Sequence, residues 1–110
     1  MDKHLDAFLD RHPTGWGHDE WLALLDDLRR AGIDVGDAEV VGHALEGRRL
    51  ARVLNDLSIK GLGAKRIEAI VDRFETLWRA RHAQVEDVAA IRTVPAALAA
   101  KVVEALGSIQ

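Results

Sequence analysis

Apolar residues recur along this chain at i, i+3, i+4 and i+7, the spacing that gathers them on one face of an α-helix. Trp21, Leu24, Leu25 and Leu28 make one complete stripe; Ile67, Ile70, Val71 and Phe74 make another. A shorter set, Leu5, Phe8 and Leu9, predicts an N-terminal helix that stops before His12-Pro13, because a residue preceding proline avoids the α region. The stripe beginning at Trp21 is punctuated at both ends. Asp19 and Glu20 open it, Arg29 and Arg30 close it in the sense the macrodipole favours, and Gly32 supplies the stop. Further on, Leu77 and Trp78 begin a connector ending near His82, and a brief helix is expected over 85–90 with Glu86 and Asp87 in its first turn. A last helix is expected over about 96–106, with Leu98, Val102, Ala105 and Leu106 turned inward and Gly107 beyond its end. No run alternates as a half-buried strand would, and there are only two prolines. The pattern predicts an all-α chain.

Residues 37–57 admit two readings. Asp37 can cap a helix carrying Val40, Val41, Ala44 and Leu45, and a second stripe follows at Leu50, Val53, Leu54 and Leu57. At 100° per residue the two stripes point to roughly opposite sides of a continuous helix. Either the chain breaks near Gly47, or one long helix serves two cores. The expected division is an acidic helical subdomain over 1–46 and a second unit over 47–110.

One eight-residue stretch fits neither neighbouring helix: Ile59-Lys60-Gly61-Leu62-Gly63-Ala64-Lys65-Arg66. Two glycines flanking one leucine permit a tight turn with φ > 0. A helix restarts over 64–74, so the turn presents unpaired N–H groups at a helix N-terminus, where anions bind. Lys65 and Arg66 lie in the first turn of that helix, a place the macrodipole disfavours for cations unless an anion joins them.

Sliding the chain by 32 residues pairs Ile59 with Ile91, Leu62 with Val94, Ala64 with Ala96 and Ile67 with Ala99. The same shift pairs Ile70 with Val102, Val71 with Val103 and Phe74 with Leu106. This is more agreement than helical periodicity alone requires. In the second copy, Thr93 and Pro95 replace the two glycines, and no cation stands at the places of Lys65 and Arg66.

The run from Ile59 to Ile70 resembles a helix-hairpin-helix motif: apolar-x-Gly-apolar-Gly, then x-x-basic or small, then a helix. With its partner 32 residues on, about 50–107 resembles the tandem form found in DNA repair, recombination and junction-processing proteins. The resemblance implies that hairpin backbone amides donate to DNA phosphates without reading base sequence. Carried over residue by residue, the amides are those of Gly61, Gly63, Ala64 and Lys65, with Leu62 at the tip and charge from Lys60, Lys65 and Arg66. Arg92 and Thr93 are secondary candidates, Thr93 through its hydroxyl, whereas Pro95 has no N–H to give. Some members of the family hold a monovalent cation on the hairpin carbonyls. No other cofactor is implied, and residues 1–46 resemble no family.

Charge sharpens this. The formal net charge is −3, but residues 1–50 carry 6 Lys/Arg against 11 Asp/Glu while residues 51–110 carry 9 against 7. A polyanion is therefore expected at the second half. Arg73, Arg79, Arg81 and Arg92 together widen a basic face, though each alone reads as a solvated helix residue. Trp16 and Trp21 lie in the acidic half and read as core, and Trp78 as the weld between the repeat and the N-terminal helices.

Catalysis finds no support. There is no cysteine, no serine–histidine–acid arrangement and no glycine loop of nucleotide-binding length. His12 and His18 with Asp19 and Glu20 match no metal spacing on a helix face. No apolar run approaches the roughly 20 residues a bilayer requires, and the first residues show no signal-peptide pattern. The expectation is a cytoplasmic, all-α, non-catalytic protein: a tandem helix-hairpin-helix unit with an N-terminal helical extension packed on it. Its expected partner is DNA, contacted at the phosphate backbone, with gain from a homodimer or protein partner. The alternative keeps the fold as a protein-interaction or scaffold domain.

Overall fold

The computed structural model describes residues 1–109, and every regular element among them is helical. α1 is Asp2–Arg11, α2 His18–Arg30, α3 Ala38–Asp56, α4 Ala64–Phe74, α5 Leu77–Arg81, α6 Val85–Ala89 and α7 Ala96–Gly107. Each predicted helix is present, and the two-way reading of 37–57 is settled. α3 runs through Gly47 without interruption. Contacts divide the chain at Arg48/Arg49, within α3 and two residues beyond the boundary expected from sequence.

The first unit, residues 1–48, has its own apolar cluster built from Leu5, Phe8, Leu9, Leu24, Leu25, Leu28, Val35, Val41 and Leu45. Local chemistry fixes its helix ends. Glu20 reaches back to accept from Gly17 N–H at 3.1 Å, and Asp37 Oδ1 accepts from Glu39 N–H at 2.9 Å, each satisfying a donor the helix itself leaves open. After α2, Gly32 takes φ +80°, and Ile33 N–H returns to Leu28 C=O at 3.0 Å, closing the helix as its glycine predicted. Trp16 meets Phe8 edge-on with ring centroids 5.3 Å apart, so it packs with the core. Arg48 forms a fork on Asp6 at 2.7–2.9 Å; hydrogen bonding to that carboxylate raises its guanidinium pKa.

The second unit, residues 49–110, closes around Leu50, Leu54, Ile70, Phe74, Val88, Val94, Leu98, Val102 and Leu106. Ala99, not Ala105, is the alanine sealed inside α7, because it falls on the same face as Leu98 and Val102. Thr76 Oγ1 caps α5 by accepting from Arg79 N–H at 3.1 Å. Trp78 does not continue the apolar stripe of α4: it is 68% exposed and stacks on His82 at 4.2 Å. In the short α5 the inward positions are Leu77 and Ala80, which leaves Trp78 on the outer face.

Candidate nucleic-acid interface

The stretch after α3 leaves the helix through Ser58, at φ +51°, and turns at Gly61, at φ +92°. That positive φ is the one place in the stretch where glycine is required by conformation. Leu62 N–H bonds to Ile59 C=O at 3.0 Å, and the half-buried Leu62 side chain packs against the unit's core. Gly63 does not share the conformation expected for it. It sits at φ −89°, ψ −179° as the N-cap of α4, ordinary extended backbone, and a Cβ there would meet nothing within 4 Å. What glycine supplies at 63 is open space in front of the helix end.

The first helical bond of α4 is Ile67 N–H to Gly63 C=O at 3.0 Å, and no side chain caps the helix. The N–H groups of Ala64, Lys65 and Arg66 therefore face outward without an intrahelical acceptor. Lys60, Gly61, Gly63, Ala64 and Lys65 are exposed and Arg66 is half-buried. Thirty-two residues on, the backbone makes corresponding bonds. Val94 N–H bonds to Ile91 C=O at 3.0 Å, and Ala99 N–H to Pro95 C=O at 2.9 Å. Pro95, at φ −64°, ψ 153°, is the N-cap of α7, extended like Gly63. Proline tolerates this place because an N-cap donates no helical hydrogen bond of its own.

Arg66 links the two loops. Its Nη1 donates to Gly61 C=O at 2.6 Å and its Nε to Thr93 C=O at 2.8 Å. A guanidinium in the first turn of α4 is thus already balanced by two carbonyl dipoles, so the charge on Arg66 does not by itself call for an external anion. The same bonds bear on a monovalent cation. An ion on the first loop's carbonyls would lie beside the Arg66 guanidinium that already donates to Gly61 C=O, and the two positive charges would repel. The first loop does not fit a bound cation beside Arg66.

Six of the sequence candidates come together. Gly63, Ala64, Lys65 and Arg66 form one wall, and Arg92 and Thr93 with Pro95 the other wall, of an open groove of about 760 Å³. Lys60, Gly61 and Leu62 lie in the adjoining turn, outside its lining. Among the described residues no hydrogen bond or ion pair engages the Lys60, Lys65 or Arg92 side chains. The other arginines of the supposed basic face are committed elsewhere. Arg79 pairs with Glu75 at 3.2 Å, Arg81 donates to Ile109 C=O at 2.7 Å, and Arg73 lies over the Phe74 ring at 5.1 Å. Sequence reasoning discounted Pro95 and assigned Arg66 to phosphate. The available signal for Arg66 was its position in a first helical turn, where a cation needs local acceptors. The chain matches no protein-family model, and no curated protein or solved structure proved similar to it.

Proposed function

We propose that residues 59–66 and 91–98 form a tandem helix-hairpin-helix pair that binds DNA at its phosphate backbone, independently of base sequence and without catalysis. The observation that carries this reading is the uncapped N-terminus of α4, whose Gly63, Ala64, Lys65 and Arg66 line one open groove together with Arg92, Thr93 and Pro95 of the second loop. Open amides and a positive dipole end attract phosphate oxygens, and Lys60, Lys65 and Arg92, whose side chains have no hydrogen-bond or ion-pair partner among the described residues, stand at or beside the groove. Phosphate contacts position a protein on nucleic acid without reading sequence. With so few cations, affinity belongs in the non-specific range of about 10⁻⁴–10⁻⁶ M at physiological salt. A role in DNA repair or recombination would add a second binding surface, through a partner or a second copy, and gain by avidity.

The experiment is a titration of labelled duplex, single-stranded and junction DNA at several salt concentrations. Three to five phosphate contacts give a log–log slope on duplex of roughly −0.9 per contact. Absence of binding at low salt would sink the reading. One observation favours a protein-interaction domain instead: Trp78, a large aromatic residue of the kind enriched at interfaces, stands 68% exposed. If that reading holds, DNA affinity is absent and Trp78→Ala abolishes partner capture while the fold persists.

A further inference from the structure

Gly61 C=O and Thr93 C=O are both turn carbonyls, and each points at the same guanidinium. Arg66 is the residue that supplies it. It is half-buried, while Lys60, Lys65 and Arg92 are exposed and have no side-chain partner among the described residues. Positive charge around the groove is thus of two kinds: free at the rim, and bound to main-chain carbonyls at the base of the loops.

We infer that Arg66 acts as a tethered internal cation, joining the carbonyls of Gly61 and Thr93 so that both loops hold their geometry without a bound monovalent ion. The inference rests on the nucleic-acid reading above for its effect on binding, and on the two hydrogen bonds alone for its effect on the loops. A planar guanidinium suits the task because its Nε and Nη1 donors diverge in a fixed fork and reach two carbonyls at once, whereas a lysine ammonium is a point charge on a flexible stem. Arg66 is accordingly a positioning residue. It holds Gly61 at the turn and Thr93 across the groove, and thereby fixes how the open amides of α4 face a phosphate. The guanidinium itself does not leave its carbonyls to meet DNA.

Salt dependence separates positioning from contact. Each phosphate contact contributes about 0.9 to the log–log slope, so a contact residue lowers the slope when removed and a positioning residue does not. Duplex binding by the full chain would be measured in potassium chloride and in tetramethylammonium chloride at matched ionic strength, for the parent, Arg66→Gln, Arg66→Lys and Lys65→Ala. The parent should bind equally in both salts. Arg66→Gln should lose roughly tenfold in affinity, as expected for losing charge-assisted bonds to carbonyls, at an unchanged slope. Arg66→Lys should recover only part of that loss, and Lys65→Ala should lower the slope by about 0.9.

A second readout needs no DNA. In amide NMR spectra, Arg66→Gln should shift Gly61, Leu62, Thr93 and Val94 together, and adding potassium to the parent should shift none of them. A slope that falls by about 0.9 in Arg66→Gln overturns the inference, as does unchanged affinity in that variant or a potassium requirement in the parent. If the parent binds no duplex in either salt, the nucleic-acid reading falls and the amide shifts decide the bridge: concerted movement of both loops supports it, and movement of one loop or neither overturns it.

Discussion

Arg66 Nε donates to the main-chain carbonyl of Thr93 at 2.8 Å, across 27 residues of sequence. The contact reads the backbone of the second loop and ignores its side chain. Replacing Thr93 by alanine should therefore leave the bridge in place, with stability in urea unfolding within about 0.5 kcal/mol of the parent, as for an ordinary surface substitution. A larger loss would mean that the threonine hydroxyl, not the carbonyl alone, holds the loop.

The two glycines of the first loop should respond differently to the same change. Gly61 at φ +92° is in a region that side-chain-bearing residues enter only with strain, and a Cβ there would also approach Leu98 Cδ1 at 3.9 Å. Gly61→Ala should cost on the order of 1–3 kcal/mol, nearly all from the backbone because 3.9 Å is ordinary contact. Gly63→Ser should be neutral or slightly stabilising, since the N-cap backbone is extended, the space is open, and a hydroxyl can bond an amide of the first turn. Paired urea titrations decide this; equal losses at both positions would contradict the conformational distinction.

Charge at the rim should behave additively. Lys60, Lys65 and Arg92 have no ion-pair partner among the described residues, so removing any one breaks no ion pair. Single alanine variants should keep the parent's thermal midpoint and lower the salt slope of duplex binding by about 0.9 each wherever that residue meets a phosphate. Lys65 and Arg92, which line the groove, should show the full effect. A slope unchanged in both would remove the groove as the binding face.

These contrasts mark how far the sequence alone could be read. The helices were legible because each places its apolar residues at one angular position: Leu24, Leu25 and Leu28 on α2, and Ile67, Ile70 and Phe74 on α4, are the residues found buried. Gly61 was legible as a turn glycine because a sharp reversal between helices needs positive φ. Gly63 was misread, because glycine serves equally well where it adopts extended backbone and only leaves room. The continuity of α3 through Gly47 was open, since glycine in a helix costs only about 1 kcal/mol against alanine and packing on either side offsets it. Trp78 was misplaced by extending the stripe of α4 four residues past Phe74. The chain in fact turns at Glu75, at φ +70°, and α5 begins with its own phase. The Arg66 bridge was hidden for a different reason. Its acceptors are backbone carbonyls, which carry no residue identity to be seen in a sequence.

The Arg48–Asp6 pair in the first unit gives a prediction with a definite sign. Hydrogen bonding to Asp6 raises the guanidinium pKa above its ordinary value, with attraction to Asp6 and Asp2 adding to it and partial burial opposing. A group whose pKa is higher folded than unfolded contributes stability that is complete below its unfolded value and is lost only as pH rises through the folded one. For an arginine that window lies beyond the alkaline limit of ordinary work, so ionisation of Arg48 should add no pH dependence between about pH 6 and pH 9. The pair is largely solvated: side-chain exposure is 36% for Arg48 and 53% for Asp6. Solvent screening therefore limits its worth to about 1 kcal/mol or less despite the forked geometry. Arg48→Met should lower stability by no more than that, equally at about pH 6 and pH 9, and the difference should shrink at high salt. A loss several times larger would show that the forked pair is worth more than its exposure allows, since methionine keeps most of the arginine's aliphatic packing.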